Sequence, residues 1–205
     1  MEMRPYPWTV VETVFSMMRG GTCVVGHTLI LGGARSGKSR FAEETALQLS
    51  RETSQPVVYI ATATVTDSEM KNRIEAHQTR RPVEWTTVEE SMDVVQELEQ
   101  RREPAIVVLD CLSLLLNNWM FAGLEDSVLA ARIEALGRTF ESFRHPLLVV
   151  SNEVGQGIVP ENSLARRYRD QLGTMNQRVA RTAEHVVWMV AGIPVELQKW
   201  APNKW

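Results

Sequence analysis

Residues 28–43 read TLILGGARSGKSRFAE, and the rest of the chain can be organised around them. The apolar run 28–31 predicts a short buried strand. It passes directly into Gly32, Gly33, Ala34, Arg35, Ser36, Gly37, Lys38 and Ser39. Phe41, Ala42, Thr45, Ala46 and Leu49 then recur at i, i+1, i+4, i+5 and i+8, which predicts an amphipathic helix over 38–50. Gly32 and Gly37 permit backbone angles closed to residues with a Cβ, so successive N–H groups can turn inward around an anion. The helix N-terminus adds the positive end of its dipole at the same spot. Lys38 brings a mobile cation for β- and γ-phosphates, and Ser39 a hydroxyl for Mg²⁺. Strand, Gly-x-x-x-x-Gly-Lys-Ser and helix together are the Walker A pattern in its confirming context.

Working outward, apolar strands are predicted at 57–61, 105–109, 147–150 and 186–190, with an edge strand at 193–197. Helical patterning covers 91–101, 127–143 and 162–184, the last weakened at Gly173. A further helix opens on a capping box, with Thr66 as N-cap and Glu69 at N3. It carries Met70, Arg73, Ile74 and His77 on one stripe and stops before Pro82. Strands alternating with helices predict an α/β fold: a mostly parallel sheet with helices on both faces, in a P-loop NTPase (RecA-like) architecture. Residues 27–205 are expected to form one domain. Residues 1–26 read as an N-terminal extension with no assigned role, helical over 9–18.

Composition narrows the function classes. Of 205 residues, 44% are apolar and 23% charged, and the net charge of −3 does not mark the chain as a nucleic-acid binder. Cys23 and Cys111 stand far apart and form no metal-binding pattern, which argues against a disulfide framework and for a reducing, cytoplasmic location. No apolar run reaches the roughly 18 residues needed to span a bilayer.

Two further positions invite chemistry. Asp110 ends the strand 106–109, as a Walker B acid would, on the sheet edge where the phosphate loop lies. It reads either as a Mg²⁺ ligand or as a polar residue leaving a strand. The upstream loop favours the ligand. Among four histidines, His27, His145 and His185 flank strands or turns. His77 precedes Gln78, Thr79, Arg80 and Arg81 near a helix end. A helix C-terminus favours the charged ring and opposes nucleophilicity, while two arginines pull the other way and would also bind phosphate. From the residues alone, His77 reads as a surface histidine.

The chain resembles the bifunctional adenosylcobinamide kinase / adenosylcobinamide-phosphate guanylyltransferase family over about residues 29–197. The resemblance is carried by GGARSGKSRFAE at 32–43, YIATA at 59–63, RIEAHQTRRPVEW at 73–85, SNEVGQGIVPENSLARRYRD at 151–170 and MNQRVA at 175–180. It implies that ATP or GTP phosphorylates the aminopropanol hydroxyl of adenosylcobinamide. GTP then donates GMP to that phosphate, giving adenosylcobinamide-GDP and pyrophosphate. By this resemblance His77 carries the GMP as a covalent intermediate, reversing the reading from the residues alone. The family's nucleotide contacts fall on residues 32–39, on Ala61, Thr62 and Ala63, on Gln78, Thr79, Arg80 and Arg81, on Glu89 and on Asp110. A homotrimer is implied in the same way. Two other readings stay open at this point: a plain small-molecule kinase with an idle His77, and a nucleotide-switched binding module.

Overall fold

The computed structural model describes residues 26–65, 67–79 and 81–198. The expected helix at 9–18 lies outside them. The described residues form seven strands: β1 His27–Gly32, β2 Val57–Ala61, β3 Thr86–Glu89, β4 Ile106–Asp110, β5 Leu147–Asn152, β6 His185–Val190 and β7 Ile193–Glu196. Six helices accompany them: α1 Lys38–Thr53, α2 Ser68–Gln78, α3 Val94–Gln100, α4 Leu112–Phe121, α5 Asp126–Ser142 and α6 Ser163–Ala180. They build one sheet of order β3-β2-β4-β5-β1-β6-β7. All pairings are parallel except the last, where β7 runs antiparallel to β6.

Period-two alternation assigns the faces. Leu29, Val58, Ile60, Val107, Leu109, Leu147 and Val149 point to one side, where α3, α4, α5 and α6 cover them. Ile30, Val57, Tyr59, Ile106, Val108, Leu148 and Val150 point to the other, against Phe41, Ala42, Ala46 and Leu49 of α1. Both faces of the central strands are therefore buried, which explains their near-continuous apolar runs. Strand β5 lies between β1, which carries the phosphate loop, and β4, which ends in Asp110. This is the expected mostly parallel sheet with helices on both faces, its phosphate loop following β1.

Several local expectations are corrected. The N-cap of α2 is Asp67, whose carboxylate accepts from Met70 N at 2.7 Å; Thr66 lies outside the described residues. Helix α3 starts at Val94 rather than at 91, because Glu90 Oε1 takes the N–H groups of Met92 and Asp93 and holds them in a turn. Gly173 leaves α6 unbroken. Strand β3 and helix α4 add to the expected elements.

Candidate active site

The phosphate loop joins β1 to α1. Gly32 has φ +155°, and a Cβ there would lie 2.7 Å from the carbonyl oxygen of Met189 and 2.6 Å from Ser36 Oγ. Gly37 is the N-cap of α1 with φ 96°, so both glycines of the pattern occupy backbone space unfavourable to other residues. The loop's outer carbonyls are anchored by neighbours. Glu153 N donates to Gly32 O at 3.0 Å, and Gly192 N donates to Ser36 O at 3.1 Å. Lys38 is buried and its Nζ donates to Gly33 O at 2.6 Å. Burial lowers the Lys38 pKa, partly opposed by Cys111 and Asp110. Ser36 Oγ is buried without a hydrogen-bond partner.

Asp110 sits at the end of β4 on the α1 side of the sheet. The Tyr59 hydroxyl donates to Asp110 Oδ2 at 2.5 Å. Burial first, and the Asp110 carboxylate second, push the Tyr59 phenol well above its ordinary value, so it stays a donor. The next residue, Cys111, carries a buried thiol whose pKa burial raises to about 12, which excludes it as a nucleophile at neutral pH. Thr62 clamps the ends of β2 and β4: its hydroxyl donates to Cys111 O at 2.7 Å and accepts from Cys111 N at 2.8 Å. The Thr62 side chain is thus committed to structure. The turn it begins, with Ala63 half-buried, is held by Asn118 Nδ2, which donates to Thr62 O at 2.8 Å.

From Tyr59 the site continues sideways. The Arg81 guanidinium lies over the Tyr59 ring, 3.6 Å from its centroid, and Trp85 stacks on that ring at 6.4 Å. Arg81 Nε is buried without a hydrogen-bond partner, while Nη1 donates to Thr87 Oγ1 at 3.5 Å. An open cavity of about 430 Å³ follows, lined by Gln78, Arg81, Pro82, Val83, Trp85, Thr87 and Glu89. Gln78 Nε2 donates to Glu89 Oε1 at 3.4 Å across it. Glu89 and Glu90, adjacent in sequence, have different tasks: Glu89 lines the cavity and Glu90 turns the chain into α3. His77 stands at the end of α2 with Nδ1 4.0 Å from Glu43 Oε1 on α1. Thr79 Oγ1 donates back to Glu75 O at 2.7 Å, closing that helix end. Arg80 lies outside the described residues.

One line of contacts therefore runs from Asp110 through Tyr59 and Arg81 to the cavity that Gln78 lines, and Lys38 of the phosphate loop feels the Asp110 charge. The Tyr59 hydroxyl takes Asp110 Oδ2, and Oδ1 is a hard oxygen of the kind that Mg²⁺ prefers. Sequence reasoning missed Tyr59, Trp85, Glu43 and Asn118. Tyr59 stood only as part of the strand 57–61 and of a family motif, Trp85 only within a family motif, and the polar contacts of Glu43 and Asn118 depend on pairings between distant segments.

The model of the family described as cobinamide kinase / cobinamide phosphate guanyltransferase matches residues 28–197. The chain belongs to this family. It is accordingly an enzyme of adenosylcobalamin biosynthesis, a kinase and a guanylyltransferase. It is 41% identical over 171 residues to the bifunctional adenosylcobalamin biosynthesis protein CobP of Pseudomonas aeruginosa, covering 83% of this chain and 96% of the relative. It is 37% identical over 184 residues to the corresponding CobU protein of Escherichia coli, covering 83% and 98%. Among solved structures, an ATPase domain aligns with a TM-score of 0.48 at 13% identity, covering 86% of this chain and 73% of that one. Among the described residues, no helix of this cobinamide kinase / guanyltransferase family member is long and apolar enough to cross a membrane.

Proposed function

We propose that His77 is the nucleophile of the guanylyl half-reaction and that one phosphate loop serves both activities. Residues 32–39 hold the triphosphate of the donor, with Lys38 on its β- and γ-phosphates. A ring nitrogen of His77 attacks the α-phosphorus of GTP. An N–P bond forms, the P–O bond to pyrophosphate breaks, and the electron pair leaves with pyrophosphate. The phosphate of adenosylcobinamide phosphate then attacks the same phosphorus and displaces the ring. Two easier transfers replace one hard one.

The observation that carries this reading is the position of His77. Its ring faces the helix that the phosphate loop opens, and the next residue, Gln78, already lines the cavity. Gln78 and Glu89 offer that cavity a donor and an acceptor for guanine or ribose. Arg81, with Arg80 beside it in sequence, balances the negative charge of the bound nucleotide. Ala61, Thr62, Ala63 and Thr79 complete the proposed nucleotide contacts; Ala61 pairs in register with Glu89 of the cavity lining. Ser39 and Asp110 would hold Mg²⁺, which supplies charge neutralisation on the transferring and leaving phosphates when bound.

In the kinase half-reaction the same loop takes ATP or GTP and presents its γ-phosphoryl to the hydroxyl of adenosylcobinamide. Positioning and charge account for most of the rate in such transfers. A homotrimer in the cytoplasm completes the proposal, supported by the exposed apolar side chains Phe121, Ile158 and Val159 and by the free thiol of Cys111.

The test is α-labelled GTP. Label retained on the protein as an acid-labile, alkali-stable adduct, lost in His77→Ala, is the expected result. Kinase turnover without any adduct in the unaltered chain would instead leave a plain kinase with His77 idle.

A further inference from the structure

We infer that Glu43 is the positioning residue for the His77 nucleophile, an inference that rests on the role proposed for His77. Two elements meet at this pair: His77 is on the last turn of α2, and Glu43 is on the second turn of α1. Nδ1 of His77 lies 4.0 Å from Oε1 of Glu43. The Glu43 side chain is 12% exposed and that of His77 is 37% exposed, so the carboxylate is enclosed by protein while the ring stays open to a ligand. Glu44, the next residue, is paired with Arg40 at 2.8 Å.

An imidazole that attacks phosphorus needs a free lone pair and a fixed ring. A carboxylate on one ring nitrogen supplies both. It holds the proton on Nδ1, which leaves the lone pair on Nε2, and it offsets the positive charge that the ring gains on forming the N–P bond. Through the step Nδ1 keeps its proton, hydrogen-bonded to Glu43, and the electron pair departs with pyrophosphate. Tyr59 on β2 also feels the Glu43 charge, and burial keeps that phenol neutral.

A separation of 4.0 Å is too long for a hydrogen bond; shortening by about 1 Å makes one. Catalytic contacts tighten in this way when substrate arrives. Glu43 also lies five residues after Lys38 on the same helix, about 7.5 Å along its axis. The carboxylate therefore ties the nucleophile to the element that holds the triphosphate.

The experiment is single-turnover adduct formation with α-labelled GTP and Mg²⁺ on the full chain. Glu43→Gln keeps the side chain's size and should slow adduct formation about 100-fold at saturating GTP. The half-saturating GTP concentration should stay within about twofold, the signature of an interaction made mainly in the transition state. Glu43→Asp, which keeps the charge, should fall between Glu43→Gln and the unaltered chain. It also provides the comparison should Glu43→Gln fold poorly. An unchanged rate in Glu43→Gln overturns the inference. So does a defect seen only as a raised half-saturating concentration, which would assign Glu43 to support of the phosphate loop. Absence of adduct in the unaltered chain, or its persistence in His77→Ala, sinks the His77 reading instead.

Discussion

Tyr59 on β2 hydrogen-bonds Asp110 at the end of β4, the adjacent strand, with 2.5 Å between oxygens. The phenol is the only side-chain hydrogen-bond donor to that carboxylate among the described residues, and it fixes one of the two oxygens. Removing the hydroxyl in Tyr59→Phe leaves Arg81 its aromatic platform and deprives Asp110 of its donor. The expected loss is about 1–2 kcal/mol of stability, measured by urea denaturation. An unchanged midpoint would mean that water replaces the phenol at no cost.

Gly32→Ala tests the loop's backbone. A methyl group would meet Met189 O at 2.7 Å and Ser36 Oγ at 2.6 Å, at a φ of +155°. The strain expected is about 1–3 kcal/mol. Because the clash falls where β1 passes into the loop, nucleotide affinity should drop along with stability. Isothermal titration with a non-hydrolysable GTP analogue and a thermal melt measure the two. Native affinity together with a native melting temperature would contradict the close approach.

Acid should weaken the fold through His27. This residue opens β1, is 9% exposed, and its Nε2 contacts Phe143 O at 3.2 Å. Burial lowers its pKa below the ordinary 6.5, with the Phe143 carbonyl and Glu184 pulling partly the other way. A lowered value means that the folded state prefers the neutral ring. The unfolded chain binds the proton more readily, so this contribution is full above pH 6.5 and is lost as pH falls through 6.5 towards the folded pKa. The urea midpoint should fall between about pH 7.5 and about pH 5.5, and His27→Gln should reduce that drop. An equal drop in the variant assigns the acid sensitivity elsewhere.

Most of the frame was legible because the central strands are buried on both faces and therefore read as uninterrupted apolar runs. VVYIA and IVVLD are examples. Strand β3 was not legible: its TTVE is largely exposed at a sheet edge and carries no apolar signal. Helix α4 hid for the opposite reason. Its LSLLLNNWMF is buried at six of ten positions, and so short an apolar run does not distinguish helix from strand. In the site, the phosphate loop could be read directly, since spacing and glycine geometry belong to one contiguous segment. The role proposed for His77 could not be read from its own surroundings in sequence, because the carboxylate nearest its Nδ1 is 34 positions earlier, brought close by tertiary packing. Family motifs singled it out instead. Tyr59 was visible as a core residue, but nothing in its own strand shows the Asp110 oxygen its hydroxyl reaches.

The interposed strand β5 gives the sheet the character of a ruler. Two interstrand gaps separate β1 from β4, a span of about 9–10 Å. The cationic loop and the acidic strand end therefore stand apart at backbone level, with room between them for a chain of phosphates and an ion. A register slip of β4 against β5 would leave that lateral span intact and slide the acidic end past the loop along the strand axis.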